Sequence, residues 1–137
     1  MRTSAPGLAC LLLLAACGEA EKPPVMPPKR PNNELIVDQF ERHPPQGTMA
    51  MRFRANGGVV VAKDKSKLDA SPALAEGTWE LEKDQLTLTF DKGEMCTPEQ
   101  KGVYKVVLSK LGIRFTKVED ECENRAKFDG TTFWRIK

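Results

Sequence analysis

Gly77-Thr-Trp-Glu-Leu-Glu-Lys-Asp-Gln-Leu-Thr-Leu-Thr-Phe90 is the stretch on which the fold turns. Trp79 and Leu81 alternate with Glu80 and Glu82, and Leu86, Leu88 and Phe90 then alternate with Thr87 and Thr89. A period of two puts apolar side chains on one face of an extended strand and polar ones on the other. Lys83-Asp84 reads as a tight turn between the two runs, so the stretch predicts an antiparallel hairpin with one wet face.

The same pattern extends in both directions. Met49, Met51 and Phe53 alternate with Ala50, Arg52 and Arg54, and residues 59–62 return after Asn56-Gly57-Gly58, a turn whose residues tolerate positive φ. Downstream, Tyr104, Val106 and Leu108 share a face. Ser109-Lys110 turns the chain, and Leu111, Ile113 and Phe115 follow with the same period. A last strand over residues 131–136 is expected to point Trp134 and Ile136 inward. Residues 35–41 read as a further strand: their β-branched pair and the following Pro44-Pro45 outweigh a short helix capped by Asn33. Residues 123–128 suit a helical turn or two. Eight short strands joined mostly by tight turns predict an all-β fold, an eight-stranded antiparallel up-and-down barrel. A two-sheet β-sandwich is the competing architecture.

The N-terminus has a different grammar. Met1-Arg2 is followed by an apolar run over residues 8–16 that contains Cys10 and ends in Leu14-Ala15-Ala16-Cys17. That run is too short to cross ~30 Å of hydrocarbon, and its length and small closing residues suit a signal peptide over residues 1–16. Leu14-Ala15-Ala16-Cys17 resembles the lipobox of bacterial lipoproteins, which implies cleavage before Cys17 and its lipidation. Cys10 would leave too little apolar core ahead of it. Two or more acyl chains give a stable membrane anchor where one gives only a marginal hold. Residues 17–33 form a tether with five prolines between Pro23 and Pro31, extended and unable to build a core. Gly18 after the cysteine points to the outer membrane by the enteric sorting pattern. Residues 34–137 are then one small domain.

The chain carries a formal charge of +2, which falls to +1 without the signal peptide because that segment holds one Arg and no acid. The charges are interspersed, so nucleic-acid binding has no electrostatic support. Two of the four cysteines, Cys96 and Cys122, lie in the domain. An even count in an exported chain reads as a disulfide. A metal-binding thiol pair is the alternative, weakened by the lack of a nearby histidine.

Taken together, Gly77-Thr-Trp79, the Leu86–Thr89 alternation, Gly102-Val-Tyr104, Asp120-Glu-Cys122-Glu-Asn-Arg125 and Phe133-Trp134-Arg135 resemble the small lipocalin-like (calycin-type) β-barrel domains of bacterial lipoproteins. The resemblance covers about sixty residues of the second half. It implies a Cys96–Cys122 bridge and a barrel able to hold a small apolar ligand. The chain departs from true lipocalins in length and in placing Gly77-Thr78-Trp79 mid-chain rather than in the first strand. A fold of this kind hosts many tasks.

No residues form a recognisable catalytic set. His43 is the single histidine and sits beside two prolines in a loop. Ser66, Ser71 and Ser109 lie in turns without the glycines of a nucleophile elbow. No cofactor and no metal is expected. Glu119, Asp120, Glu121 and Glu123 could offer oxygen ligands to a divalent cation, but their spacing matches no known loop and a solvated turn is the simpler reading. Asp120 and Arg125 flank Cys122 and are read as architectural. Trp79, Phe90, Tyr104, Phe115 and Trp134 are expected on inner faces, where they either line a cavity or fill it. Two functions follow. One is a tethered binder of a small apolar or amphiphilic molecule, with Trp79, Phe90, Tyr104 and Trp134 as its lining. The other is a solid barrel contacting another envelope protein, through Arg52, Arg54 and the connection over residues 64–76. That connection could also be a flap over the barrel mouth.

Overall fold

The computed structural model describes residues 30–43 and 47–137. The expected signal peptide, the lipobox-like segment with Cys17, the rival Cys10 and most of the expected tether lie outside the described residues. Eight antiparallel strands close into a barrel in simple sequence order: β1 (Gln39–Arg42), β2 (Met49–Phe53), β3 (Gly58–Ala62), β4 (Ala75–Glu82), β5 (Gln85–Gly93), β6 (Lys101–Leu108), β7 (Gly112–Asp120) and β8 (Thr132–Arg135). Closure comes from β1 pairing with β8, at Phe40 with Arg135 and Glu41 with Trp134. The barrel, rather than the sandwich, is the architecture. Closing the sheet leaves no strand edge unpaired around the wall.

Up-and-down order gives the barrel two unlike ends. The β2–β3, β4–β5 and β6–β7 connections gather at one end and are tight. Gly57 at φ +92° and Lys83 at φ +58° supply the left-handed backbone that two of them need. The other end carries the four longer connections, including the disulfide.

The first strand departs from expectation. Residues 35–41 are not one strand: helix α1 (Asn32–Leu35) precedes β1, and the two meet at a bend. The driving force is burial. Ile36 is fully buried and Leu35 packs on the core, so the apolar pair plugs the tight-turn end instead of extending the wall. Asn32 donates its side-chain amide to the Lys83 carbonyl at 2.9 Å, which ties α1 to the β4–β5 turn. Among the described residues, the first element starts at Asn32.

Two further expectations fail for different reasons: the face of β8 is reversed, and Leu111 lies in the turn ahead of β7. In β8 it is Phe133 that is buried, while Trp134 is 43% exposed on the outer wall. Leu111 is likewise exposed, in the β6–β7 turn, while Ile113 and Phe115 point inward. A strand has two faces, and choosing the wrong one reverses every side chain on it. Phe133 wins the inside because it meets Phe115 and Phe128, at centroid distances of 5.6 and 5.8 Å. Ile136 packs outside the barrel, on a small cluster of Ala50, Ala62 and Leu68.

That cluster also settles the connection over residues 64–76. A 3-10 turn (Lys65–Lys67), capped by the Asp64 carboxylate accepting from Ser66 N–H at 2.9 Å, lowers Leu68 onto Ala50 and Ala62. Arg52 pins the loop by donating to Asp69 at 2.7 Å. The segment is a surface loop on the β2–β3 wall and not a flap over the mouth. Its end, at Leu74 and Ala75, reaches the core cluster.

Candidate functional site

The loop end of the barrel is the most constructed part of the molecule. After β7, a short helix α2 (Glu123–Ala126) and the turn following it drive two side chains into the lumen, Arg125 and Phe128, both fully buried. A buried guanidinium needs a partner for its charge and for its donors. Arg125 Nε donates to Asp120 Oδ2 at 2.8 Å and Nη2 to Oδ1 at 2.9 Å, a two-point clasp between fully buried side chains. The remaining donors reach the Gln100 carbonyl at 2.9 Å and the Leu88 carbonyl at 3.3 Å. The guanidinium carbon also lies 5.0 Å from the centre of the Phe90 ring.

Asp120 is held from the other side. It accepts from the Tyr104 hydroxyl and, at 2.9 Å, from the Cys122 backbone N–H. The Tyr104 oxygen lies 2.8 Å from the Arg125 carbonyl as well. Gly102 leaves the space the clasp occupies, since a methyl group there would sit 2.5 Å from Arg125 Nε and 2.7 Å from Asp120 Oδ2. Among the described residues, no buried side-chain nitrogen or oxygen lacks a partner. The disulfide Cys96–Cys122 ties the β5–β6 loop to the base of α2, and Asn124 donates to the Met95 carbonyl at 3.0 Å beside it.

Burial raises the Asp120 carboxyl pKa, but the hydrogen bonds from Arg125, Tyr104 and the Cys122 N–H together outweigh it and hold the group below its ordinary value. Burial, with the Asp120 carboxylate behind it, pushes the Tyr104 phenol up, so it stays a protonated donor. A carboxyl with a depressed folded-state pKa adds stability that is complete above its unfolded value, ~4, and is lost as pH falls through the folded one. We expect the denaturant midpoint to be flat in this respect from neutral pH to about 5 and to fall below about 4. Asp120→Asn should blunt that acid limb, as measured by urea titrations across pH.

Of the four expected ligand-lining residues, Phe90 and Tyr104 sit in one packed cluster, Trp79 packs against its far end and Trp134 lies outside it. Phe90 and Tyr104 are fully buried within one packed cluster with Phe115, Phe128 and Leu88. They fill the lumen: Tyr104 meets Phe115 edge-on at 5.9 Å, and Phe115 lies 5.8 Å from Phe128. Trp79 is at the opposite, tight-turn end, edge-on to Phe53 at 6.1 Å, with its indole N–H donated to the Arg54 carbonyl at 3.0 Å. Trp134 is outside. His43 is exposed and 3.6 Å from the Glu41 carboxylate. Arg52 is committed to Asp69 and Gln39, whereas Arg54 is exposed.

What the loop end does offer is a shallow, mainly apolar depression of about 290 Å³. Met49, Leu74 and Met95 form its floor, with Glu94, Asn124 and Lys127 at its rim. Met49 comes from the start of β2 and Leu74 and Met95 from two separate connections, so no periodicity in the sequence groups them. Gly102 was visible only as part of a motif, and its role as the space under the clasp depends on the β6–β7 register. Among the described residues, no group of three or more His, Cys, Asp or Glu side chains is placed to hold a metal ion. No family model matches the chain, and no curated protein or solved structure matches it either.

Proposed function

We propose that this protein is an outer-membrane lipoprotein anchored through Cys17, whose lipocalin-like barrel is a solid, non-enzymatic module that contacts another envelope protein. The observation that carries the reading is the filled lumen. Phe90, Tyr104, Phe115, Phe128 and Arg125 are all fully buried against one another where a ligand would have to sit. Interiors packed in this way leave no room for a guest without displacing side chains. The clasp and disulfide stiffen the loop end, and interaction sites work best on rigid supports. Helix α1, the first described element, sits at the tight-turn end, opposite the depression.

One observation favours a second reading. The depression over Met49, Leu74 and Met95 is just below the usual size of a small-molecule site. A small apolar ligand would rest there, at the rim, and not inside the barrel.

The anchor is tested by expressing the whole chain in a Gram-negative host fed labelled palmitate. We expect label in the wild-type protein, recovery with the outer-membrane fraction, and loss of both in Cys17→Ser. Equal labelling of the variant, or none in either, would remove the anchored reading. Cross-linking of the whole chain in intact envelopes tests the contact, with Met95→Asp or Leu74→Asp expected to remove the cross-linked species.

A further inference from the structure

Among the described residues, four of the five large apolar side chains exposed on the surface lie toward the tight-turn end: Val37, Val107, Leu111 and Trp134, with Val118 toward the loops. Leu111 is 69% and Val107 62% exposed, and an indole 43% exposed adds to them. They belong to one stretch of wall. Trp134 is the register partner of Gly112, next to Leu111, whose carbonyl accepts from Arg135 N–H at 2.9 Å. Val107 is paired with Arg114, two strands away from β8. Val37 shares a surface depression with Lys110, Arg135 and Arg30.

The charges around this patch carry both signs: Glu41 is the register partner of Trp134, and Glu34 and Asp38 share the depression with Val37. Arg30 and Arg135 have acidic partners, Glu34 at 3.6 Å and Asp38 at 2.9 Å. Among the described residues, Lys110 and Arg114 have none within 4.0 Å. A tryptophan and aliphatic tips next to unpaired cations is the combination that suits a membrane–water interface: the indole settles at headgroup level and the cations meet lipid phosphates. The chain outside the structure points the same way, because its Pro-rich stretch leads into Arg30 at this end of the barrel.

We infer that the β6–β8 wall at the tight-turn end docks directly on an anionic phospholipid surface, through Trp134, Leu111 and Val107 with Lys110 and Arg114. This rests on the lipid-anchored reading for its biological setting, but not for its physics. A tether holds the domain near the bilayer at high effective concentration, so a weak face suffices to lay it down. Docked this way, the barrel presents its loop end, with the Met49–Leu74–Met95 depression, outward.

The test uses the mature chain carrying Cys17→Ser, which has no acylation site, and vesicles of phosphatidylcholine alone or mixed equally with phosphatidylglycerol. We expect co-sedimentation with the mixed vesicles that weakens with salt, and quenching of Trp134 by brominated lipid. Trp134→Ser with Leu111→Ser should reduce binding about tenfold or more. Lys110→Glu with Arg114→Glu should reduce it about 25-fold or more, at roughly fivefold per cation lost. Val118→Ser, on the same wall but toward the loops, should bind like the parent. Binding no better than to phosphatidylcholine alone, or unchanged by both pairs of substitutions, would overturn the inference. Palmitate labelling is read separately on the wild type. A labelled chain whose Cys17→Ser form ignores vesicles sinks the docking face alone; vesicle binding without labelling sinks the anchor alone.

Discussion

Arg125→Ala should cost about 3–5 kcal/mol of folding stability, the penalty for leaving one member of a buried ion pair without its partner. In a domain of this size that lowers the melting temperature by on the order of 20 °C, as read by calorimetry. The reason lies in what stays behind. Asp120 would be a fully buried carboxylate with its two-point donor gone, and the Leu88 and Gln100 carbonyls would each lose a hydrogen bond. The space beside Phe90 would empty as well. Arg125→Met tests which loss dominates. It restores most of the volume and none of the charge, so it should remain close to Arg125→Ala. Adding Asp120→Asn to Arg125→Met removes the stranded charge and should recover part of the loss. If Arg125→Met were nearly neutral alone, packing and not the clasp would be the source of stability.

The second large effect is at the disulfide. Cys96 and Cys122 are 26 residues apart, and closing a loop of that length restricts the unfolded chain by about 3–4 kcal/mol. Replacing both with alanine should lower stability by about that amount, with circular dichroism still showing a β-fold under native conditions. The bridge also locks the β5–β6 loop against α2, which seats Arg125. Hydrogen exchange should therefore speed up first at the loop end, around residues 94–100 and 121–130, and last at the tight-turn end. Uniform acceleration over both ends would mean that the disulfide acts only through the unfolded chain.

Much of the wall was readable from residue pattern. The alternation in Trp79–Leu81 and Leu86–Phe90 gave the β4–β5 hairpin, and Asn56-Gly57-Gly58 gave the β2–β3 turn, because both are local signals. The Cys96–Cys122 bridge followed from the number of domain cysteines and from a family resemblance. The failures sit where tertiary burial decides. Leu35 and Ile36 look like strand residues, yet the open end of a barrel needs a plug. Phe133 and Trp134 are neighbours with equal claims on the inside, and only the positions of Phe115 and Phe128 decide between them. β4 starts at Ala75, ahead of its clean alternation, because a register shift at Glu76/Gly77 breaks the period. The candidate site was legible only in part. Asp120 and Arg125 stood out in sequence as structural, and they are. The depression over Met49, Leu74 and Met95 brings together the start of β2 and two connections distant in the chain, and nothing in the sequence groups the three.

A solid barrel has no room for a guest, and the methyl signals of its core residues report on that. Dodecanoic acid, added below its micelle concentration to the Cys17→Ser mature chain, should leave the methyl resonances of Leu86, Leu88, Val106 and Ile113 in place. Changes confined to Met49, Leu74 and Met95 would still agree with a filled lumen and a ligand at the rim. Saturable shifts of Leu88 and Val106, which lie in the same buried cluster as Phe90 and Tyr104, would contradict the account and show that the barrel opens to take a guest.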